Sequence, residues 1–175
     1  HDLPLIGQGT YRNVYELNKQ QVVKLDNNQH GETSNKNEVE TYSCLGKEYA
    51  AQIISWDKNN YVWIVVEQIR KNGDLYSIEN KLKELIPTVA IKLNQLVDCF
   101  TGQNKDLHSN LYQTNQWYKN FYDRIVKCNV SAIDLNKAAQ WGIRQGTNEL
   151  VLIDYGYTRN QSENYASLSE FIFKK

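Results

Sequence analysis

The stretch Glu149-Leu-Val-Leu-Ile-Asp-Tyr-Gly156 decides how the rest of the chain is interpreted. An apolar run of strand type leads into an acid, an aromatic residue and a glycine. Such a run predicts a short buried strand that ends in a turn. Asp154 then lies where a carboxylate is costly unless it is paired or bound to a cation. Asp154 is therefore the first candidate functional residue, and capping of the following turn is its ordinary alternative role.

Two features near the start of the chain extend this pattern. The segment Leu5-Ile-Gly-Gln-Gly-Thr-Tyr-Arg-Asn-Val-Tyr15 places Gly7 and Gly9 in a predicted hairpin. Glycine lets the backbone approach an anion and point N–H groups at it. Lys24 follows two valines on the next predicted strand, so its charge needs an edge or an acidic partner. A glycine-rich hairpin, a strand lysine and a late Asp-aromatic-Gly thus occur in that order.

In this order of motifs the chain resembles the protein-kinase-like superfamily, in an unusually short form. Gly7, Gly9 and Val14 match the family's G-x-G-x-x-G-x-V loop, and Arg12 stands at its third glycine position. The resemblance implies that the loop holds ATP. The sequence leaves open whether Arg12 contacts phosphate or stiffens the loop.

The resemblance also implies that Lys24 contacts the α- and β-phosphates and pairs with a glutamate on a helix. Apolar spacing predicts a helix over 35–45, which offers Glu38 and Glu40. Glu38 is preferred because Tyr42 and Leu45, four and seven positions later, lie on the same side of the helix and would pack inward. The alternative is that Glu38 forms a capping box with Asn35.

A hinge is implied at Glu67-Gln-Ile69, where the last strand of the first lobe ends. By resemblance, the backbone groups of Glu67 to Ile69 would meet adenine, and Val66 would guard the deeper pocket. The alternative is an ordinary strand exit, because the assignment depends on the order of elements and not on a motif.

Two acids compete for the catalytic loop. Asp106 lies in a polar connection between predicted helices, whereas Asp134-Leu-Asn-Lys-Ala-Ala-Gln-Trp141 follows a helix and leads into a short hairpin. Asp134 is therefore preferred, and Asp106 is interpreted as a solvated loop acid. By resemblance, Asp134 would orient the acceptor hydroxyl and Lys137 would steady the γ-phosphate.

The implied metal is Mg²⁺, held by Asp154. The family's second metal ligand, an asparagine, normally follows the catalytic Asp by five residues, and Ala139 stands there instead. Gln140 or Asn136 would have to replace it. This departure favours the alternative of a catalytically impaired protein.

The predicted fold is α+β and two-lobed. An antiparallel N-lobe of five strands and one helix over residues 1–69 precedes a reduced helical C-lobe over 70–175. In the C-lobe we predict a helical pattern over 82–100 with Pro87 at a start or a break, a polar loop over 101–115, and a helix over 117–128. A small hairpin, 141–144 with 150–153, completes the C-lobe.

Composition narrows the functional class. Lys plus Arg and Asp plus Glu both number 20, so no broad charged face suggests nucleic acid. No apolar run approaches the roughly 20 residues of a membrane span. The cysteines, Cys44, Cys99 and Cys128, have no metal-ligand or framework spacing and are interpreted as reduced thiols in a cytoplasmic protein.

The first functional expectation is a minimal Ser/Thr protein kinase that uses Mg-ATP, similar to small bacterial and phage kinases. Its partner would be a protein substrate. One alternative is a pseudokinase that binds a nucleotide or a protein partner, favoured by Ala139 and Arg12. Another is a small-molecule kinase of the aminoglycoside type.

Overall fold

The computed structural model describes residues 3–27, 29–69, 71–72 and 74–156. Its strands are β1 Leu5–Gln8, β2 Arg12–Asn18, β3 Gln21–Asp26, β4 Ile53–Trp56, β5 Trp63–Glu67, β6 Lys71–Asn72, β7 Trp141–Ile143 and β8 Leu150–Leu152. Its helices are α1 Gln29–Leu45, α2 Leu75–Leu85, α3 Leu93–Phe100, α4 Lys105–Thr114, α5 Gln116–Lys127 and α6 Ala132–Leu135. A 3₁₀ turn covers Ala138–Gln140.

The first lobe is a five-stranded antiparallel sheet in the order β1-β2-β3-β5-β4, with α1 packed on it. Val39 of α1 joins Val22, Ile64 and Val66 of the sheet in one buried cluster. The predicted order of three strands, one helix and two strands is confirmed. The helix begins at Gln29, well before the predicted start at Asn35.

The second lobe is helical and carries a three-stranded antiparallel sheet in the order β6-β7-β8. Its core is aromatic: Phe100 stacks on Tyr118, and Phe121 lies against Trp117 and Trp141. Amphipathic helices bury such rings because each removes a large apolar area from water. The predicted helical C-lobe with a small hairpin is therefore confirmed as an architecture.

The predicted pattern over 82–100 is two helices. Helix α2 ends at Leu85, with Ile86 as its C-cap, and α3 begins at Leu93. Pro87 follows the C-cap directly, and a residue before proline is disfavoured in helical conformation. The break that the sequence allowed at Pro87 is confirmed.

The polar connection predicted over 101–115 is wrong, because most of it forms α4. The Asn104 side chain accepts a hydrogen bond from Leu107 N–H at 3.1 Å and caps the helix. Leu111, on the inner side of α4, is fully buried. With so few apolar residues, the helix depends on this tertiary contact more than on its own periodicity. Asp106 is exposed, as expected, but on the first turn of this helix.

The expectation of reduced cysteines is wrong for two of the three. Cys44, near the end of α1, and Cys128, the C-cap of α5, form a disulfide with their Cα atoms 5.5 Å apart. They are separated by 84 residues in sequence, so only the docking of α1 on α5 brings them together. Cys99 is a buried free thiol. Disulfides persist in oxidising compartments, so the cysteines do not support a cytoplasmic location, which stays a prediction.

Backbone hydrogen bonds join the two lobes next to the hairpin of the C-lobe. Ala51 N–H donates to Leu152 O at 2.7 Å, and Leu152 N–H donates to Tyr49 O at 2.9 Å. Arg144 adds an ion pair to Glu67 at the end of β5. These links hold β8, and therefore the segment that follows it, against the N-lobe.

In the described part of the chain no helix is long and apolar enough to cross a membrane. The predicted lobe boundary falls at residue 70, and the predicted C-lobe extends to 175. Residue 70 and residues 157–175 lie outside the described residues, so the domain limits stay predictions.

Candidate functional site

A cavity of about 510 Å³ opens between the two lobes. Its walls come from the β1–β2 hairpin, from β3, from the segment after β5, from the 3₁₀ turn and from the residues after β8. Predicted site residues that line it are Gly7, Val14, Lys24, Glu67, Ile69 and Asp154. Tertiary structure thus brings together residues from both ends of the described chain.

The glycine-rich hairpin forms the roof of this cavity. Gly7 pairs with Val14 across the β1–β2 ladder, and Gly9 N–H donates to Arg12 O at 2.8 Å to close the turn. The hairpin therefore has the geometry that the sequence predicts. Gly9 itself is not among the residues that line the cavity.

Lys24 lies in mid-strand on β3 and is 6% exposed. Its Nζ donates to Glu38 Oε1 at 2.6 Å and to the carbonyl of Ile153 at 2.8 Å. The expected ion pair with Glu38 is therefore present. The capping-box alternative is wrong, because Asn35 lies inside α1 and its amide donates to the carbonyls of Tyr61 and Val62.

Arg12 does not remain in the hairpin loop but reaches across to α1 and to the segment after β8. Its Nη1 donates to Glu38 Oε2 at 2.6 Å and to Asn35 Oδ1 at 3.1 Å. Its Nη2 donates to Asp154 Oδ1 at 2.6 Å. Burial alone would lower the pKa of Arg12, but Glu38, Asp154 and Asp134 raise it above its ordinary value. The guanidinium is thus a permanent buried cation.

Asp154 lies at the inner wall of the cavity, with its side chain 52% exposed toward the opening. Desolvation by the surrounding protein would raise the pKa of Asp154. The positive charges of Lys24 and Arg12 lower the pKa by more than desolvation raises it. The pKa of Asp154 therefore lies below its ordinary value, and the carboxylate stays ionised. It forms an ion pair with a cation from the chain itself, as a carboxylate at the end of a buried strand requires.

Asp134 and Lys137 lie beside the cavity and are not among its lining residues. Asp134 is in α6 and is 2% exposed, whereas Lys137 is exposed. The charge of Asp134 acts on Arg12, and that of Lys137 acts on Asp154. Both residues thus belong to the electrostatic environment of Asp154. Their catalytic roles stay predictions.

The residues around Asp154 do not fit Mg²⁺ in this arrangement. Mg²⁺ takes about six oxygen ligands in octahedral geometry, but Asp154 Oδ1 already accepts from Arg12. Ala139, which lines the cavity, brings no side-chain oxygen. The main-chain carbonyl of Gln140 already accepts a hydrogen bond from Ile153 N–H at 2.8 Å.

Across the described residues, no group of three or more His, Cys, Asp or Glu side chains could hold a metal ion. Metal ligation by Asp154 and Gln140 therefore stays a prediction of the resemblance. The role proposed for the chain does not depend on it.

The predicted hinge, Glu67 to Ile69, lines the cavity. Two of its backbone N–H groups already donate hydrogen bonds within the protein. Glu67 N–H donates to Gln52 O, and Gln68 N–H donates to Gln20 O, both at 2.8 Å. These two amides are therefore not oriented toward a base in the cavity. The Glu67 carboxylate accepts from the Arg144 guanidinium at 2.8 and 2.9 Å, which ties the hinge to the C-lobe hairpin.

Gly156, the last residue of the Asp-Tyr-Gly motif, lies directly against α1. A Cβ placed on Gly156 would come within 2.5 Å of the Ser34 carbonyl oxygen and 3.3 Å of Glu38 Cβ. The preceding residue, Tyr155, is buried, and its hydroxyl donates to Ala51 O at 3.2 Å. The glycine thus permits the close approach that places Asp154 beside Arg12 and Lys24.

Gly156→Ala is expected to lower the free energy of unfolding by about 1–3 kcal/mol, because the new methyl group must displace the backbone of α1. Urea unfolding of both proteins measures the effect. Gly7→Ala serves as the stability control, since its Cβ would meet Val14 at an ordinary 3.4 Å. Equal destabilisation by the two substitutions would contradict the close-approach interpretation.

Two contacts near the site carry no clear sequence signal. The sequence does not fix the role of Arg12, although its position at a loop glycine of the resembled family is unusual. Arg144, which joins Glu67, Glu149 and the Ala50 carbonyl, has no motif that indicates these partners. An arginine in a short strand-turn region carries no local signal of its partners.

No known protein family matches the sequence, and no curated protein does. Among solved structures, the gentamicin complex of the aminoglycoside phosphotransferase APH(2″)-IIa shares 16% identity over 89% of this chain and 64% of its own, with a TM-score of 0.43. Choline kinase LicA from Streptococcus pneumoniae shares 15% over 88% and 62%, with a TM-score of 0.45. SAICAR synthase from Saccharomyces cerevisiae shares 11% over 90% and 74%, with a TM-score of 0.40. The chain spans less than two thirds of the first two of these proteins.

Proposed function

We propose that this chain binds ATP in the cleft between its lobes and transfers the terminal phosphoryl group to a hydroxyl acceptor. One observation carries the proposal: a buried strand lysine, Lys24, is held by Glu38 at the wall of a cavity roofed by a glycine hairpin. A buried ammonium that a helix carboxylate holds in place is suited to an anionic ligand, because its position is fixed before the ligand binds.

The phosphates of the nucleotide would lie between the glycine hairpin and Lys24. Gly7 lines the cavity without a side chain, so a phosphate can approach the backbone there. Lys24 would be a point charge for the phosphates, and Glu38 would orient it. Val14, Val22 and Ile153 offer apolar walls for a base.

The acceptor hydroxyl would be oriented by Asp134, with Lys137 close to the transferred phosphoryl group. Since Asp134 is 2% exposed, this role requires α6 to move when an acceptor binds. A Ser or Thr side chain of a partner protein is the first acceptor class that the sequence favours. A small hydroxylated molecule is the second.

A specific observation favours a second function, nucleotide binding without transfer. Asp154 is neutralised by Arg12, and Ala139 replaces a side chain that could hold a second cation. A protein of this kind would use the nucleotide to stabilise the fold around Asp154 and would act through a protein partner.

Lys24→Ala is expected to lower phosphoryl transfer by about 100-fold or more, because it removes a fixed positive charge at the phosphates. The measurement is transfer from γ-labelled ATP in the presence of MgCl₂. The acceptors are the chain itself, a protein mixture, and a panel of aminoglycosides and amino alcohols. Circular dichroism confirms that the variant folds.

The matched control is Lys36→Ala, which removes an exposed charge from the same helix that carries Glu38. It should transfer label as the unmodified chain does. Undiminished transfer by Lys24→Ala would refute the phosphotransferase proposal. Nucleotide binding without any transfer would instead select the second function.

A further inference from the structure

Arg12 occupies the place at Asp154 where a divalent cation would be expected from the resemblance. Its Nη2 donates to Asp154 Oδ1 and its Nη1 donates to Glu38 Oε2, both at 2.6 Å. The Arg12 side chain is 10% exposed, so it is packed in position and not a mobile surface group. Asn35, itself fully buried, accepts a further hydrogen bond from Nη1 at 3.1 Å.

The local charges balance without a metal. Lys24 and Arg12 provide two positive charges, and Glu38 and Asp154 provide two negative charges, in one connected set of ion pairs. A carboxylate that faced a polyphosphate without a cation would repel it. Asp154 does not need a metal to avoid that repulsion, because Arg12 already neutralises it.

A metal ion that bound Asp154 through Oδ1 would disrupt this network. The metal ion would have to displace the guanidinium, which makes one hydrogen bond to Asp154 and one to Glu38, and would leave that cation buried against α1 without one of its acids. Breaking a buried ion pair in this way is strongly unfavourable. Ala139, which also lines the cavity, has no side-chain ligand atom. The arrangement therefore favours retention of Arg12.

We propose that Arg12 is a built-in cation of the phosphate site, so that nucleotide binding by this chain does not require a divalent metal. The guanidinium has five N–H donors, and three of them make the hydrogen bonds described above. Arg12 does not itself line the cavity, and it acts on a bound nucleotide by neutralising Asp154, which does. This inference rests on the proposed nucleotide binding and specifies which cation accompanies the nucleotide.

The test is the affinity of the full chain for a fluorescent ATP analogue, measured with excess MgCl₂ and with excess EDTA. The unmodified chain is expected to bind with dissociation constants that agree within about threefold in the two conditions. Arg12→Ala is expected to bind about 10- to 100-fold more weakly in EDTA, because Asp154 would then face the phosphates without a cation beside it. Added MgCl₂ is expected to restore part of that loss, since it resupplies a cation at Asp154.

Lys36→Ala is the control for the loss of one positive charge, and it should behave as the unmodified chain does. If the unmodified chain loses more than about tenfold in affinity on removal of Mg²⁺, the inference is overturned while nucleotide binding stands. If no nucleotide binds in either condition, the proposed function fails and the inference fails with it. The comparison on the unmodified chain decides the matter even if Arg12→Ala does not fold.

Discussion

Glu38→Gln is expected to lower the free energy of unfolding by about 3–5 kcal/mol, because it removes one member of a buried ionic network. Glu38 is 0% exposed and accepts from Lys24 Nζ and Arg12 Nη1, both at 2.6 Å. The neutral amide has nearly the same shape but leaves Lys24 buried without a carboxylate partner. Urea unfolding followed by circular dichroism measures the difference.

Glu40→Gln is the matched control for this prediction. Glu40 lies on the same helix, its side chain is 62% exposed, and its carboxylate lies 4.0 Å from Lys36 Nζ. Exposed pairs of this kind contribute about 0–1 kcal/mol. A Glu38→Gln variant as stable as Glu40→Gln would mean that the ionic network does not stabilise the fold.

Reduction of the Cys44–Cys128 disulfide is expected to lower the free energy of unfolding by about 3–5 kcal/mol, because the bond closes a long loop in the unfolded chain. The loop spans 84 residues and joins α1 of the first lobe to α5 of the second. Urea unfolding with and without a reductant measures the effect. A count of reactive thiols in the unfolded protein should give one, from Cys99, before reduction and three after it.

The control for reduction is the double variant Cys44→Ser with Cys128→Ser. Its unfolding should not change when the reductant is added, and it should match the reduced protein. If the unfolded, unreduced chain already exposes all three thiols, the disulfide is absent and the sequence-based expectation of reduced cysteines is restored.

The parts of the fold that the sequence predicted well depend on local patterns. The strands of the first lobe are short runs rich in apolar residues, and α1 has helical spacing, so their order could be predicted without tertiary information. The resemblance implies a pair between Lys24 and a helix glutamate, and helical spacing favours Glu38 over Glu40 for that role. The β7–β8 hairpin was predicted because a turn separates two short apolar runs.

The errors arose where a residue's partner lies far away in the chain. Leu111 stabilises α4 by packing into the buried core of the C-lobe, and the polar sequence around it does not reveal this contact. Cys44 and Cys128 are brought together only by the docking of α1 on α5. The burial of Asp134 in α6 likewise depends on the packing around it and not on its own segment.

The sequence by itself determined the order of strands and helix in the first lobe, the placement of Lys24 on a strand and the presence of a glycine hairpin, because these follow from short-range periodicity and backbone preference. Only the tertiary structure decided where Arg12 points, since its acids, Glu38 and Asp154, come from a helix and from a late strand end. A buried charge pairs with the groups that the fold brings within hydrogen-bonding distance. Arg12 and Asp154 are 142 residues apart in the sequence, so only folding brings them together. The choice between a metal ion and an internal guanidinium at Asp154 is therefore a property of the folded chain.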